Sequence, residues 1–430
     1  MIRKLAIVVA LLLPIAVTAQ SPAPFRVEEA TIADIHTAMR RGRLTCKTLV
    51  TAYLRRIERY DKKGPAINAI IVVNPKAGEV ADSLDRRFRQ GGMVGPLHCV
   101  PMIVKDNFET IDLPTTAGSL SFQGWVSKKD AFEVRRIREA GAIVLAKSNM
   151  AEFAFTPFET VSSILPGYTK NPYALDRVTA GSSGGTAAAV ASSFGAAGLG
   201  TDTGNSIRGP SSHQALVGIR STMGLTSRAG VVPLILASDI AGPMARTVAD
   251  AVAIFQVVVG EDPADPVTAM ARTHPAQNYS ESLRKDGLRG ARIGVLRQAY
   301  ERPTTDSDVV RVFTRAVADL RRQGAEVVDP ATIPALDSLL RIQSGGGACN
   351  PFKYDLNGYL AALGADGPPV HSLAEIIKSG RFHPTIQRRL EQGDLVTTSP
   401  DETPGCQARD RFREALRTAV LGVMDSLHLD

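Results

Sequence analysis

The chain has 430 residues, enough for a large buried core, with 44% hydrophobic and 22% charged residues. That balance excludes disorder, a collagen helix or a coiled coil as the main architecture. Lys and Arg number 50 against 43 Asp and Glu, a net +7. No basic block carries interleaved aromatics, so no nucleic-acid footprint is present.

Arg3 and Lys4 precede an apolar run over residues 5–17 that ends at Val17-Thr18-Ala19. This is the pattern of a secretory signal peptide, residues 1–19, and predicts export to a periplasm or the medium after cleavage near Ala19. The run is short of the about 20 residues a bilayer requires, and no later run is long enough, so no stable membrane insertion is expected. Thr31 is placed to cap a helix over 32–41, and Thr45 a second helix to about 60 with Leu49, Tyr53, Leu54 and Ile57 on one stripe. The β-branched run 67–73 reads as a strand. Pro75 opens a helix that ends near Gly91 and Gly92. Residues 99–104 and 142–146 read as buried strands, 130–140 as a helix between them, and 187–193 as an alanine-rich helix. Strands over 291–296 and 325–328 flank a helix over 307–322.

Strands alternating with helices predict an α/β fold: one large domain whose mixed, largely parallel central sheet is covered by helices on both faces. Residues 261–290 read as a surface connection. The core is expected over about 31–330 and a variable cap over about 331–405. A long helix from about 407 has no strand after it, which predicts a domain cut short at Asp430. Cys46, Cys99, Cys349 and Cys406 match no metal or redox spacing. An exported protein can oxidise them, yet they read as isolated small hydrophobes.

Three segments carry residues suited to chemistry. Val100 to Asn107 is an apolar run that ends in Lys105. A lysine buried there loses proton affinity and can act as a neutral base; one that snorkels to the surface cannot. In Ala180-Gly181-Ser182-Ser183-Gly184-Gly185-Thr186, two serines sit in a glycine frame ahead of a helix. A phosphate cradle would end in Gly-Lys-Ser/Thr, which is absent. In Gly200-Thr201-Asp202-Thr203-Gly204-Asn205-Ser206-Ile207-Arg208-Gly209, tight turns surround a serine, and the N–H groups of 203–206 can converge as an oxyanion hole requires. Asp202 and Arg208 can pair to brace the loop.

Taken together, these segments resemble the amidase signature family. The resemblance runs from about residue 31 to 260 and includes Gly95-Pro96-Leu97-His98, residues 141–149 and Gly242-Pro243-Met244-Ala245-Arg246-Thr247-Val248-Ala249-Asp250. It implies that residues 20–430 form an amidase domain that hydrolyses a carboxylic amide to acid plus ammonia or amine, with no cofactor and no metal. It assigns a Ser-Ser-Lys triad: Lys105 as base, Ser182 with a cis peptide bond as bridge, and Ser206 as nucleophile that forms an acyl-enzyme. The oxyanion-hole amides fall on Thr203, Gly204, Asn205 and Ser206. Ser183, Thr201, Asp202 and Arg208 fall among supporting hydrogen bonders. Asn205 stands where the family usually has glycine; it tolerates left-handed backbone, and its side chain is expected to narrow the acyl pocket. Residues 153–168 and the cap are expected to shape that pocket. A small-molecule or peptide amide is the implied partner.

Rival readings are weaker. His98 and His213 are the histidines near these segments, for a Ser-His-Asp scheme. Ser282-Leu283-Arg284-Lys285 fits Ser-x-x-Lys without its Ser-Asp-Asn or Lys-Thr-Gly companions. A binding scaffold of the same fold without turnover, and an amidotransferase-type subunit, stay open as alternatives. The leader and the lack of a basic patch argue against the second.

Overall fold

The computed structural model describes residues 25–155, 160–273, 277–345 and 347–430; the expected leader, residues 1–19, lies outside them. Helices α1 (Ile32–Arg40) and α2 (Cys46–Tyr60) open the fold. Each starts at a threonine whose side chain accepts the N–H three residues on, Asp34 for Thr31 and Thr48 for Thr45. Further along lie α3 (Ala77–Gly91), α4 (Phe132–Glu139), α5 (Gly184–Ala191), α6 (Arg208–His213), α7 (Val248–Val258) and α8 (Ser307–Arg322). The cap holds α9 (Leu336–Gly345), α10 (Phe352–Leu363), α11 (Leu373–Ser379) and α12 (Gln387–Asp394), and α13 (Pro404–Ser426) follows.

The strands are β1 (Ile70–Val73), β2 (Pro101–Lys105), β3 (Ile143–Ser148), the hairpin β4 (Lys170–Asn171) and β5 (Ala174–Val178), β6 (Ala197–Asp202), β7 (Val217–Gly218), β8 (Ile240–Ala245), β9 (Arg292–Gly294) and β10 (Glu326–Val328). The main sheet has six strands in the order β1-β3-β2-β6-β8-β7. It is mixed. β2 runs parallel to both neighbours, β3 and β6, while the outer ladders are antiparallel, where the sequence reading expected a largely parallel sheet. Every residue of β2, β3, β6 and β8 is buried, the mark of a sheet covered on both faces. Val104 pairs with Leu199, so the carboxyl ends of β2 and β6 emerge side by side. Ligand crevices of open α/β sheets form at such ends.

β9 and β10 flank α8 in the chain, as expected, and pair in parallel with each other as a separate two-stranded sheet. One expectation is corrected. The cysteines are not isolated: Cys46 pairs with Cys99 and Cys349 with Cys406, with Cα atoms 5.4 and 4.7 Å apart. Separations of 53 and 57 residues leave no local signature of either pairing. The cap carries its own apolar cluster, in which Phe352, Leu356, Leu360, Leu373 and Leu390 pack against Phe122 and Phe153. The rings of Phe122 and Phe153 meet edge to face at 5.5 Å.

Candidate active site

Lys105 is the last residue of β2 and is wholly buried, so its ammonium has no route to water and does not snorkel. Its Nζ lies 2.8 Å from Ser182 Oγ, 2.7 Å from Thr201 Oγ1 and 3.5 Å from Thr201 O. Burial lowers its pKa to about 7, against smaller upward pulls from Asp202 and Asp239. A neutral amine has two N–H groups and one lone pair. The two Thr201 oxygens suit the former and the Ser182 hydroxyl the latter. Asn107 Nδ2 also donates to Thr201 Oγ1, at 3.0 Å, and fixes the acceptor from behind.

Ser182 and Ser183 lead directly into α5. The Gly181–Ser182 peptide bond is cis. Ser182 O accepts from Ala151 N at 3.1 Å, and Ser183 N donates to Ser206 O at 3.2 Å, which ties the serine pair to the third segment. The Ser183 hydroxyl spans both edges of Thr201, donating to its carbonyl at 3.1 Å and accepting from its N–H at 3.3 Å.

Ser206 is 4% exposed and its hydroxyl makes no hydrogen bond among the described residues, with Ser182 or any other group. The main-chain N–H groups of Thr203, Gly204, Asn205 and Ser206 donate to nothing among the described residues. The next two, Ile207 and Arg208, both donate to Asp202 Oδ2, at 3.0 and 3.2 Å. Asp202 also pairs with Arg208 Nε at 3.1 Å and Arg220 Nη1 at 3.0 Å. Burial raises its pKa, but the Arg208 and Ile207 hydrogen bonds outweigh that and hold it below the usual carboxylate range. The loop thus has one arm locked on a carboxylate and four amides left over.

Asn205 departs from expectation. It does not adopt left-handed backbone, so the position requires no glycine. Its side-chain amide lies against Gly209 in α6. Residues 156–159 of the expected pocket wall lie outside the described residues. The structure brings Lys105, Ser182, Ser183 and Thr201 into direct contact, and joins Ser206 to them through its main chain. His213 is exposed. His98 is buried near Cys46 Sγ and stacked on Phe88, and no bond links it to either serine. Ser282 to Lys285 are exposed, running out from the end of a short 3-10 helix. A cavity of about 990 Å³, lined by Glu109, Arg228, Tyr354, Asp355 and Tyr359 among others, includes none of Lys105, Ser182 and Ser206. Sequence reading gave no role to Asn107, at the end of the first segment, and passed over Arg220 and Asp239, which hold the site from outside its motifs.

A sequence model of the Amidase family matches residues 48–430. A probable amidase of Arabidopsis thaliana is 35% identical over 426 residues, covering 94% of this chain and 79% of that protein. A glutamyl-tRNA(Gln) amidotransferase subunit of Streptomyces coelicolor is 34% identical over 377 residues, 86% of this chain and 73% of that one. The solved native peptide amidase from Stenotrophomonas maltophilia superposes with a TM-score of 0.79 at 36% identity, covering 90% of this chain and 80% of that chain. These likenesses, on this fold, define an amide-hydrolysing enzyme. The chain belongs to the amidase signature family.

Proposed function

We propose that the protein is an exported amidase that cleaves a peptide or small-molecule carboxamide through Lys105, Ser182 and Ser206. The observation that carries this reading is the buried Lys105 Nζ at 2.8 Å from Ser182 Oγ, beside a loop with four N–H groups unengaged among the described residues. Neutral Lys105 takes the Ser182 proton while Ser182 takes that of Ser206. Ser206 Oγ bonds to the amide carbon, and the carbonyl electrons move to oxygen. The N–H groups of 203–206 receive that oxyanion; losing one such donor typically lowers the rate about 10²–10³-fold. The C–N bond then breaks, and the proton returns through Ser182 to the leaving nitrogen. Water attacks the acyl-enzyme by the same relay and frees the acid.

Likeness to a peptide amidase supports a peptide amide as substrate. The likeness to an amidotransferase component is matched by no basic patch in this chain. Export rests on the leader pattern over 1–19, with Gln20 as the first mature residue. The test is labelling with a fluorophosphonate, in which Ser206 Oγ bonds to phosphorus, fluoride leaves and the hydroxyl proton passes to Lys105. The wild type labels on Ser206 and releases ammonia from a peptide amide, and Ser206→Ala does neither. Undiminished labelling of Ser206→Ala refutes the assignment.

A further inference from the structure

The loop 203–206 is held on its far side by Asp202. What holds its near side is a residue in none of the three motif segments. Thr203 Oγ1 donates to Asp239 Oδ1 at 2.6 Å, the one side-chain hydrogen bond Thr203 makes among the described residues. Asp239 is 5% exposed. Its other oxygen accepts from Leu234 N at 2.8 Å and Ile235 N at 3.0 Å. The segment carrying it is anchored from three directions. Arg220 Nη2 donates to Ser238 O at 3.0 Å while Nη1 of the same guanidinium pairs with Asp202. Arg413 of α13 donates to Ala237 O at 2.7 Å, and Asp355 of α10 accepts from Leu236 N at 2.9 Å. Asp239 therefore sits on a fixed base and reaches into a loop whose amides have no other partner among the described residues.

We infer that Asp239 is a positioning residue for the reaction: through the Thr203 hydroxyl it fixes the start of the 203–206 loop and thereby the aim of its N–H groups. This rests on the reading that those amides receive the oxyanion. The Leu234 and Ile235 N–H groups can only donate, so Oδ2 accepts and carries no proton. The Thr203 hydroxyl donates to an ionised Oδ1 and accepts from a protonated one, so that tie persists in either charge state. Burial raises its pKa to about 6, opposed by the Thr203, Leu234 and Ile235 bonds. The ionisable groups around it are Lys105 on β2, Asp202 on β6, Arg220, Arg228, Asp355 on α10 and Arg413 on α13. Asp239 also helps keep the Lys105 pKa from falling further.

The experiment compares Asp239→Asn, Thr203→Val, Thr203→Ser and the double variant Asp239→Asn/Thr203→Val. Each is assayed for peptide-amide turnover across pH and for the rate of fluorophosphonate capture. Asp239→Asn is expected to lower kcat and capture rate about 10²-fold, with KM moving less than about threefold, the size and pattern of a misaimed catalytic group. Thr203→Ser keeps near-normal rates and Thr203→Val does not. The double variant loses no more than Thr203→Val alone, since both changes break one link. The acid limb of Asp239→Asn moves to lower pH, because a negative charge near Lys105 is gone; the kcat-against-KM split and the contrast of Thr203→Ser with Thr203→Val are the readouts a merely structural role does not move. Unchanged kcat in Asp239→Asn, or losses that add in the double variant, overturn the inference. Should Asp239→Asn not fold, equal rates for Thr203→Val and Thr203→Ser overturn it alone. Wild-type label recovered on a residue other than Ser206 instead overturns the underlying mechanism, which separates the two failures.

Discussion

In the proposed mechanism, one buried group, Lys105, governs both rate and stability. Desolvation is the largest influence on it, so its amine ionises at about 7 in the folded protein against 10.5 in water. The base is active when neutral, so turnover rises with pH and levels off above about 7. Lys105→Met is expected to lower kcat by about 10²–10⁴-fold, the usual worth of a positioned base. Its effect on stability has the opposite sign. Between 10.5 and 7 the unfolded chain binds a proton that the folded one does not, so wild-type stability falls as pH drops through that window. The Met variant lacks this loss and gains on the wild type as pH falls towards 7. Parallel denaturation curves at pH 7 and 10.5 check this; a gap that is constant with pH refutes it. Lys105 was legible because a lysine that ends an apolar run is rare. Asp239 was not, since its partner Thr203 lies 36 residues away and no spacing rule links them.

Among the elements, those with branched or apolar runs were legible and those built on glycine were not. The reading over 307–322 matches α8, and β2, β3 and α4 lie within two residues of expectation. β6 and β8 were passed over because Ala197-Gly198-Leu199-Gly200-Thr201-Asp202 and Ile240-Ala241-Gly242-Pro243-Met244-Ala245 are poor in the branched residues that mark strands. Their glycines have a packing reason. A Cβ on Gly200 would lie 2.7 Å from Met244 Sδ and 3.0 Å from Ser183 Oγ, so the strand can approach the serine pair only without one. The same constraint acts on α5. A Cβ on Gly185 would strike the main chain of Asn149, which follows β3. Gly185→Ala is expected to destabilise the protein by about 1–3 kcal/mol, as overpacking does. It also shifts the helix that begins at the serine pair, so the fluorophosphonate capture rate falls with it. Normal capture in a variant of lowered melting temperature separates packing from positioning and counts against this coupling.

Across the whole molecule, the cap is fastened beside the site by a few long-range ties. Tyr359 of α10 donates to Glu109, four residues past Lys105, at 2.8 Å, and Arg413 of α13 holds the segment that carries Asp239. The Cys349–Cys406 bond joins the segment before α10 to the start of α13, closing a loop of 57 residues that contains most of the cap. Sequence patterns showed that a cap exists but not what fastens it, because each tie links residues distant in the chain. The bridge also connects fold to compartment, since disulfides persist where the surroundings oxidise. The proposed export therefore predicts that all four cysteines resist alkylation until reduced and that mass spectrometry will find Gln20 at the mature N-terminus. Replacing Cys349 and Cys406 with serine frees the loop in the unfolded chain and is expected to lower stability by about 2–5 kcal/mol. With the α10–α13 clamp gone, Arg413 holds residues 237 and 238 less firmly, so turnover falls before the sheet core melts. The check is a thermal series following activity and circular dichroism together. Inactivation at the melting temperature itself means the clamp adds global stability and leaves the site untouched. Four reactive thiols in protein recovered from the periplasm or medium remove the link between the bridges and export.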